Sequence, residues 1–541
     1  MRRTWASPIV AVAVAGLTAL GTLPSSASAS SGSPVSGDRG RTHGSLVVHT
    51  DSGALRGVRS GGVDSFLGVR YAAPPVGSLR WSPPQPAQRW RGVLAADHYG
   101  NRCPALASTN GPLSVTEDCL FLNVQRPAGT HRGTRLPVYF WIHGGGLVNG
   151  SSNQHDGSKI VRETGATVVT INYRLGVFGF LGHPALTAEQ SGYASNYGFE
   201  DQQAALRWVR RNIVAFGGDP QRVTIGGESA GGWSVCAHLS APGSRGLFIR
   251  AMIQSGSCAS RTEADADAQG TSVATAVGCT DPATVPACLR QVPVDRLLNA
   301  WGTTAPAFVR GTAVLPLDPR VAIAQGRFTH VPVVNGANRD EGRTFAAGLI
   351  GGSQATFTAA VRNIFGANAD AVLAHYPWPA DADRFTAAYL LGAIFTDSGV
   401  IGQGIGGCGT RALSMDLARY TRTYGYEFDH RTGPGLTPIP GYVWGAGHAA
   451  ELAYLWPSFD NGIPIAPTFN AAERQLAHDM VAYWGAFVRK GRPEVRGLTL
   501  WPPYNHAAQV LSLRAGGQST VISDATYVAE HQCRLWDTLP H

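Results

Sequence analysis

The chain has 541 residues, 44% of them hydrophobic and 15% charged, so it carries enough apolar material for a large core and too little charge for a disordered chain. Its formal charge of +8 is spread out, with no lysine/arginine block or nucleic-acid-binding motif beside it, which argues against a nucleic-acid partner. The N-terminus places Arg2 and Arg3 before an apolar run from Pro8 to Leu23 and an Ala-x-Ala at Ala27 and Ala29. That order is a signal peptide, residues 1–29, cleaved after Ala29, so the mature protein is expected to be secreted, with no transmembrane segment. Residues 30–43, rich in Ser and Gly, read as a flexible start, and residues 44–541 as one domain with insertions.

In chain order, short apolar runs ending in polar or glycine turns occur at 136–146, 165–174, 222–232, 249–256, 330–342 and 423–430. Their continuous hydrophobicity suits sheet-centre strands covered on both faces. Between the second and third, "DQQAALRWVRRNIVAFGGDP" sets Leu206, Val209, Ile213 and Phe216 near helical spacing, with Gly-Gly-Asp-Pro as a stop. A second helix is expected from Ala230, giving the β-α-β-α order of an α/β fold built on a mostly parallel sheet. Ligand sites in such sheets lie beyond the carboxyl ends of the strands, where the polar turns fall. Residues 260–325 and 343–415 read as helical insertions walling that end.

In "RVTIGGESAGGW" the spacing Gly227-x-Ser229-x-Gly231 follows an apolar strand and opens a helix. A strand reversing abruptly into a helix crowds its own backbone; flanking glycines relieve the clash and leave Ser229 projecting as a candidate nucleophile. A serine hydroxyl needs a base, and the base an orienting acid, expected downstream in the order Ser, acid, His. Of the downstream histidines, His448 in the glycine-flanked "WGAGHAAEL" and His430 at a strand end are the candidates for the base. Asp340 and Glu341, adjacent in "VPVVNGANRDEG", are the candidates for the acid; Asp397 reads as a cap or buried acceptor. The triple glycine in "WIHGGGLVNGSS" lets backbone N–H groups approach a ligand, so Gly145 and Gly146, with the N–H of Ala230, are expected to form an oxyanion hole. It is no phosphate loop, because the P-loop lysine is missing.

The eight cysteines, at 103, 119, 236, 258, 279, 288, 408 and 533, form an even set in an exported chain and favour disulfides over metal ligation, for which no compact Cys/His spacing exists. Cys103 with Cys119 and Cys279 with Cys288 could each staple a local loop, Cys408 with Cys533 could tie down the C-terminal extension, and Cys236 with Cys258 is the residual pair; spacing alone leaves the connectivity open.

Beyond single motifs, the chain resembles the type-B carboxylesterase family, which includes esterases, lipases, cholinesterases and non-catalytic neuroligin-like adhesion domains. The resemblance is carried by "FLGVRYAAPPVGSLRWSPPQP" at 66–86, "TEDCLFLNV" at 116–124, "IHGGGLVNGS", "INYRLGVFGFLG" at 171–182, "NYGFEDQQAALRWVRRNIVAFGGDPQRVTIGGESAGG" and "NGANRDEG". It implies the α/β-hydrolase fold and a cofactor-free, metal-free hydrolase of small-molecule or lipid carboxylic esters. It assigns the nucleophile to Ser229, the acid to Glu341, the base to His448, and the oxyanion donors to Gly145, Gly146 and Ala230. It also implies the pairs Cys103–Cys119, Cys279–Cys288 and Cys408–Cys533; Cys236–Cys258 is inferred from what is left. The segment "CPALASTNGPLSVTEDC" departs from the cholinesterase pattern in having no aromatic residue to stack on a quaternary ammonium, which argues against choline esters. A lipase or sterol esterase is the nearest alternative, and an adhesion protein the alternative of another class.

Overall fold

The computed structural model describes residues 46–190, 195–399, 404–505 and 507–539. The expected signal peptide and the segment 30–43 lie outside the described residues.

Eleven strands form the main sheet among the described residues: β1 (Val58–Ser60), β2 (Val63–Arg70), β3 (Phe121–Pro127), β4 (Leu136–Ile142), β5 (Thr167–Ile171), β6 (Gly218–Glu228), β7 (Arg250–Gln254), β8 (Val333–Asn338), β9 (Thr423–Phe428), β10 (Val510–Leu513) and β11 (Thr520–Ile522). They lie in the order β1-β2-β3-β5-β4-β6-β7-β8-β9-β10-β11. From β5 to β10 every neighbour is parallel, and the pairs at both margins are antiparallel. The six apolar runs of the sequence are β4 to β9, which form one unbroken block at the centre of the sheet in the order β5-β4-β6-β7-β8-β9.

Alternate residues of these strands enter different cores, as the pleat requires. Val138, Phe140 and Ile142 pack into the core shared with helices α1 (Tyr197–Asn212) and α2 (Ala230–Ser240). Tyr139 and Trp141 point the other way, into the core shared with α3 (Ala471–Lys490). Helix α1 stops earlier than its apolar spacing predicts: Ile213–Phe216 form a tighter 3₁₀ turn, closed by Gly217 at φ 78°. The following Gly218 to Pro220 already belong to β6, so the sequence stop signal lies partly inside a strand. The insertions are helical, with Glu263–Ala276, Val285–Gln291 and Val294–Trp301 in one, and Gln354–Phe365, Ala369–His375 and Thr386–Ser398 in the other.

The cysteines pair as Cys103–Cys119, Cys236–Cys258, Cys279–Cys288 and Cys408–Cys533. No helix among the described residues is long and apolar enough to cross a membrane.

Beside the Cys408–Cys533 bridge, His531 is fully buried between two carboxylates, with Nδ1 2.8 Å from Asp397 Oδ1 and Nε2 2.6 Å from Glu427 Oε1. Asp397 also accepts from the Tyr376 hydroxyl at 2.8 Å, so it is the buried acceptor anticipated from the sequence. Burial alone would depress the imidazole, and Arg339 opposes its charge, yet Glu427 and Asp397 outweigh both and raise His531 to about 9. A histidine raised on folding contributes stability that is complete below its unfolded pKa of about 6.5 and is lost as pH rises through the folded value. Thermal melts of the wild type are therefore expected to lose Tm between about pH 7 and 9. His531→Gln should be less stable at pH 6 and show a shallower fall over that window, measured by calorimetry across pH.

Candidate active site

Ser229 sits where β6 ends and α2 begins, with φ 56° and ψ −122°, a conformation an L-residue adopts only under constraint. The glycines around it answer to close approach. A Cβ on Gly231 would lie 2.0 Å from the Ile142 carbonyl oxygen, and one on Gly227 would lie 2.4 Å from the Gly231 carbonyl carbon. The Gly-x-Ser-x-Gly spacing thus lets the turn press against both itself and β4. The Ser229 N–H donates to the Gln254 carbonyl at 2.9 Å, and its own carbonyl accepts from the Trp233 N–H at 2.9 Å.

His448 Nε2 lies 2.8 Å from Ser229 Oγ, and His448 Nδ1 lies 2.6 Å from Glu341 Oε2. The other carboxylate oxygen, Glu341 Oε1, accepts from the Ser255 hydroxyl at 2.5 Å and from the Asn338 N–H at 2.7 Å. These two donors leave Oε2 to accept from the Nδ1–H of the imidazole, so that the neutral form of His448 presents Nε2 as an acceptor to the serine. Glu341 is sealed at 1% exposure, while Ser229 at 9% and His448 at 8% keep an edge open.

Asp340 and Glu341 point apart. Asp340 is held by Arg431 through bonds of 2.7 and 2.8 Å and accepts from the Ala446 N–H at 3.0 Å. Burial opposes its charge, but these donors and Arg343 hold its carboxyl below the usual range. It fastens the loop carrying His448 instead of touching the imidazole: Asp340 N–H donates to the Ala446 carbonyl at 2.9 Å, and His448 N–H to the Glu341 carbonyl at 3.3 Å. His430, the rival base, faces Glu473 at 3.1 Å.

The triple glycine follows β4 and curls beside Ser229, with a Cβ on Gly144 lying 3.0 Å from Ser229 Cβ. Gly145 and Gly146 have φ of 101° and 62°. The Gly144 carbonyl is taken by His143 Nδ1 at 2.8 Å, and the Gly145 carbonyl by the N–H groups of Val148 and Asn149 at 3.1 and 3.0 Å. In a trans peptide the next N–H points opposite its carbonyl, so the N–H groups of Gly145 and Gly146 face away from these loop contacts. Ala230, the first residue of α2, adds an N–H at a helix N-terminus.

Two further carboxyls, to which the sequence reading gave no role, complete the surroundings. Glu228 Oε1 is 3.3 Å from His448 Nε2, and Glu451 accepts from Asn338 Nδ2 at 2.7 Å. Burial is the main cause that lifts Glu228 well above the usual carboxylate range, opposed by His448 and reinforced by Glu451 and Glu341. Glu451 is raised to about 7, chiefly by burial and then by Glu341. Burial would depress His448, but Glu228 and Glu341 reverse this and raise it to about 9. Glu228 lies inside the serine motif and Glu451 three residues beyond His448, so both were in view; neither spacing shows that they converge.

The family model that matches is the carboxylesterase family, over residues 44–536. The chain is 34% identical over 504 residues to acylcarnitine hydrolase of Mus musculus, covering 88% of this chain and 86% of the relative. It is 34% identical over 494 residues to fumonisin B1 esterase of Sphingopyxis macrogoltabida, covering 86% of each. It is also 34% identical over 486 residues to para-nitrobenzyl esterase of Bacillus subtilis (strain 168), covering 85% of this chain and 92% of the relative. Among solved structures, a PNB esterase superposes with a TM-score of 0.75 at 30% identity, covering 91% of this chain and all of that one. With sequence, sheet order and solved neighbours in agreement, this chain belongs to the carboxylesterase family and is an ester-hydrolysing enzyme of the α/β-hydrolase fold.

Proposed function

We propose that the protein is an exported serine esterase that cleaves carboxylic esters through a Ser229–His448–Glu341 triad and an acyl-enzyme intermediate. The observation that carries this reading is the unbroken contact chain from Ser229 Oγ through the imidazole to Glu341, at 2.8 and 2.6 Å. His448 takes the serine proton as the hydroxyl attacks the ester carbonyl. The N–H groups of Gly145, Gly146 and Ala230 bind the oxyanion, each donor of this kind lowering the barrier by about 2.7–4 kcal/mol. The imidazolium then protonates the departing alcohol, and neutral His448 activates the water that releases the acid. The charged N-terminal leader and the four disulfides support export.

Glu228 Oε1 lies 3.3 Å from His448 Nε2, so the two groups bias each other's charge and titrate as a pair. An ionised Glu228 favours the imidazolium; a glutamine cannot. Glu228→Gln is therefore expected to move the acid limb of kcat/KM to lower pH, because the base is freed of its proton sooner. The same change should lower kcat at the plateau by about tenfold, since the imidazolium formed in the transition state loses a carboxylate. A pH–rate profile of both proteins measures the two effects.

The relatives named for acylcarnitine, fumonisin B1 and para-nitrobenzyl esters support an ester substrate without fixing its acyl or alcohol part. Stopped-flow assay with 4-nitrophenyl acetate tests the reading: a burst of nitrophenol equal to the enzyme concentration, followed by slower turnover, is expected of an acyl-enzyme. A purified protein inert towards short acyl, long acyl, aryl and sterol esters would overturn it. Preference for emulsified long-chain esters would assign the lipase subclass of the same chemistry.

A further inference from the structure

The segment from Gln254, the last residue of β7, to Cys258, just before the first insertion, touches two members of the proposed triad, Ser229 and Glu341. The Gln254 carbonyl holds the Ser229 N–H at 2.9 Å. The Ser255 hydroxyl donates to Glu341 Oε1 at 2.5 Å, and the Ser255 N–H donates to the Gly336 carbonyl of β8 at 2.8 Å. Ser255 does this at φ 46°, a left-handed conformation that a serine keeps only when its surroundings over-determine it. One such constraint is steric: a Cβ on Gly232 of α2 would lie 2.8 Å from both the Gln254 carbonyl oxygen and Gly256 Cα, so helix and segment meet backbone to backbone. The other is covalent. Cys236, seven residues and about 10 Å along α2 from Ser229, is bonded to Cys258 at the end of the same segment. Both cysteines are buried, at 0% and 5% exposure, so the bridge joins two pieces of the catalytic core and does not staple a surface loop.

We propose that the Cys236–Cys258 disulfide is a positioning device for catalysis: it locks the nucleophile helix to the segment whose Ser255 hydroxyl orients Glu341. The proposal rests on the triad reading above. Without the bridge the segment loses the tie that opposes relaxation of Ser255 out of its left-handed conformation. Relaxation lengthens the contact to Glu341, and the imidazole is then aimed less well at Ser229. The substrate pocket is not the part that changes, so turnover falls while substrate affinity holds.

The test is a double-mutant cycle on the full-length oxidised enzyme. Cys236→Ala/Cys258→Ala is expected to lower kcat by about tenfold with KM within about twofold of wild type, and to shift the acid limb of kcat to lower pH as His448 loses its well-placed carboxylate. Ser255→Ala should reproduce both changes with the bridge intact, and the triple variant should lose little more than either, because both changes disable the same contact. Cys279→Ala/Cys288→Ala is the control: it removes a bridge inside the first insertion, in a different apolar cluster from Cys236 and Cys258, and should lower Tm without moving kcat or the pH limb. Cys236→Val/Cys258→Ala, which refills the sulfur volume, provides the same readout should the alanine pair not fold. The proposal is overturned when the Cys236/Cys258 variants lower Tm without lowering kcat, when Ser255→Ala leaves kcat and the pH limb unmoved, or when the losses of bridge and hydroxyl multiply. Failure of the triad reading is separately visible, as ester hydrolysis retained by Ser229→Ala.

Discussion

Ser229→Ala is expected to lower kcat towards 4-nitrophenyl acetate by about 10⁵- to 10⁶-fold while the protein keeps its wild-type melting temperature to within a few degrees. In the proposed mechanism the hydroxyl oxygen becomes covalently bonded to the acyl group, and without it neither the imidazole nor the backbone donors have an enzyme-bound intermediate to act on. His448→Ala should lose almost as much, and the double variant little more than either, because the members of such a unit act together. The structural cost of the serine change is small. Ser229 makes its fold-supporting bonds through its backbone, to Gln254 and Trp233, and alanine retains both. The positive φ is a strain that either residue pays. Steady-state kinetics beside a melting curve separates the two effects, with purification from a host lacking other esterases as the control.

The second large effect is expected of the acid, and the neighbour supplies its contrast. Glu341→Gln should lower kcat by about 10⁴-fold, since an amide in place of Oε2 can turn its NH₂ towards Nδ1 and force the N–H onto Nε2, where it faces the serine. Asp340→Asn, one residue away, should act on stability instead. It weakens the paired bonds to Arg431 and the contact that fastens the His448 loop at Ala446. Its melting temperature should fall by several degrees while kcat drops by about tenfold at most. Comparable losses of kcat in the two variants, or the reverse order, would remove Glu341 from the role assigned to it.

How far the sequence reached can be argued residue by residue. The strands β4 to β9 were legible because a strand covered on both faces must be apolar at every position, and such runs stand out. The marginal strands lack that mark: β1 is exposed along its length, and the short β10 and β11 gave no run comparable to those at the centre. The serine elbow was legible because its glycines answer to local sterics. The choice between Asp340 and Glu341 came from the family resemblance and not from spacing, because Arg431 and Ala446, which hold Asp340 aside, lie about a hundred residues away and reach it only once β8 and β9 pair. The same is true of His430 and His448: the former is occupied by Glu473 of α3, and no spacing announces that contact. Glu228 shows the converse limit. It sits in the most informative motif of the chain, yet its proximity to His448 depends on a loop more than two hundred residues downstream. The buried pair of Arg174 with Asp201, at 2.8 Å, is of the same kind, two charges in separate motifs that become partners only when β5 and α1 are laid side by side.

The central claim is that Ser229 carries the acyl group, and the most direct measurement of it is peptide mapping of the enzyme after reaction with a fluorophosphonate. The reagent is expected to add once per chain, with fragment ions placing the adduct on Ser229 within the tryptic peptide Val223–Arg245, and not on Ser234, Ser240 or Ser244 of the same peptide. His448→Ala should label far more slowly, since the hydroxyl then has no base. An adduct on another residue, or undiminished labelling of Ser229→Ala, would contradict the account.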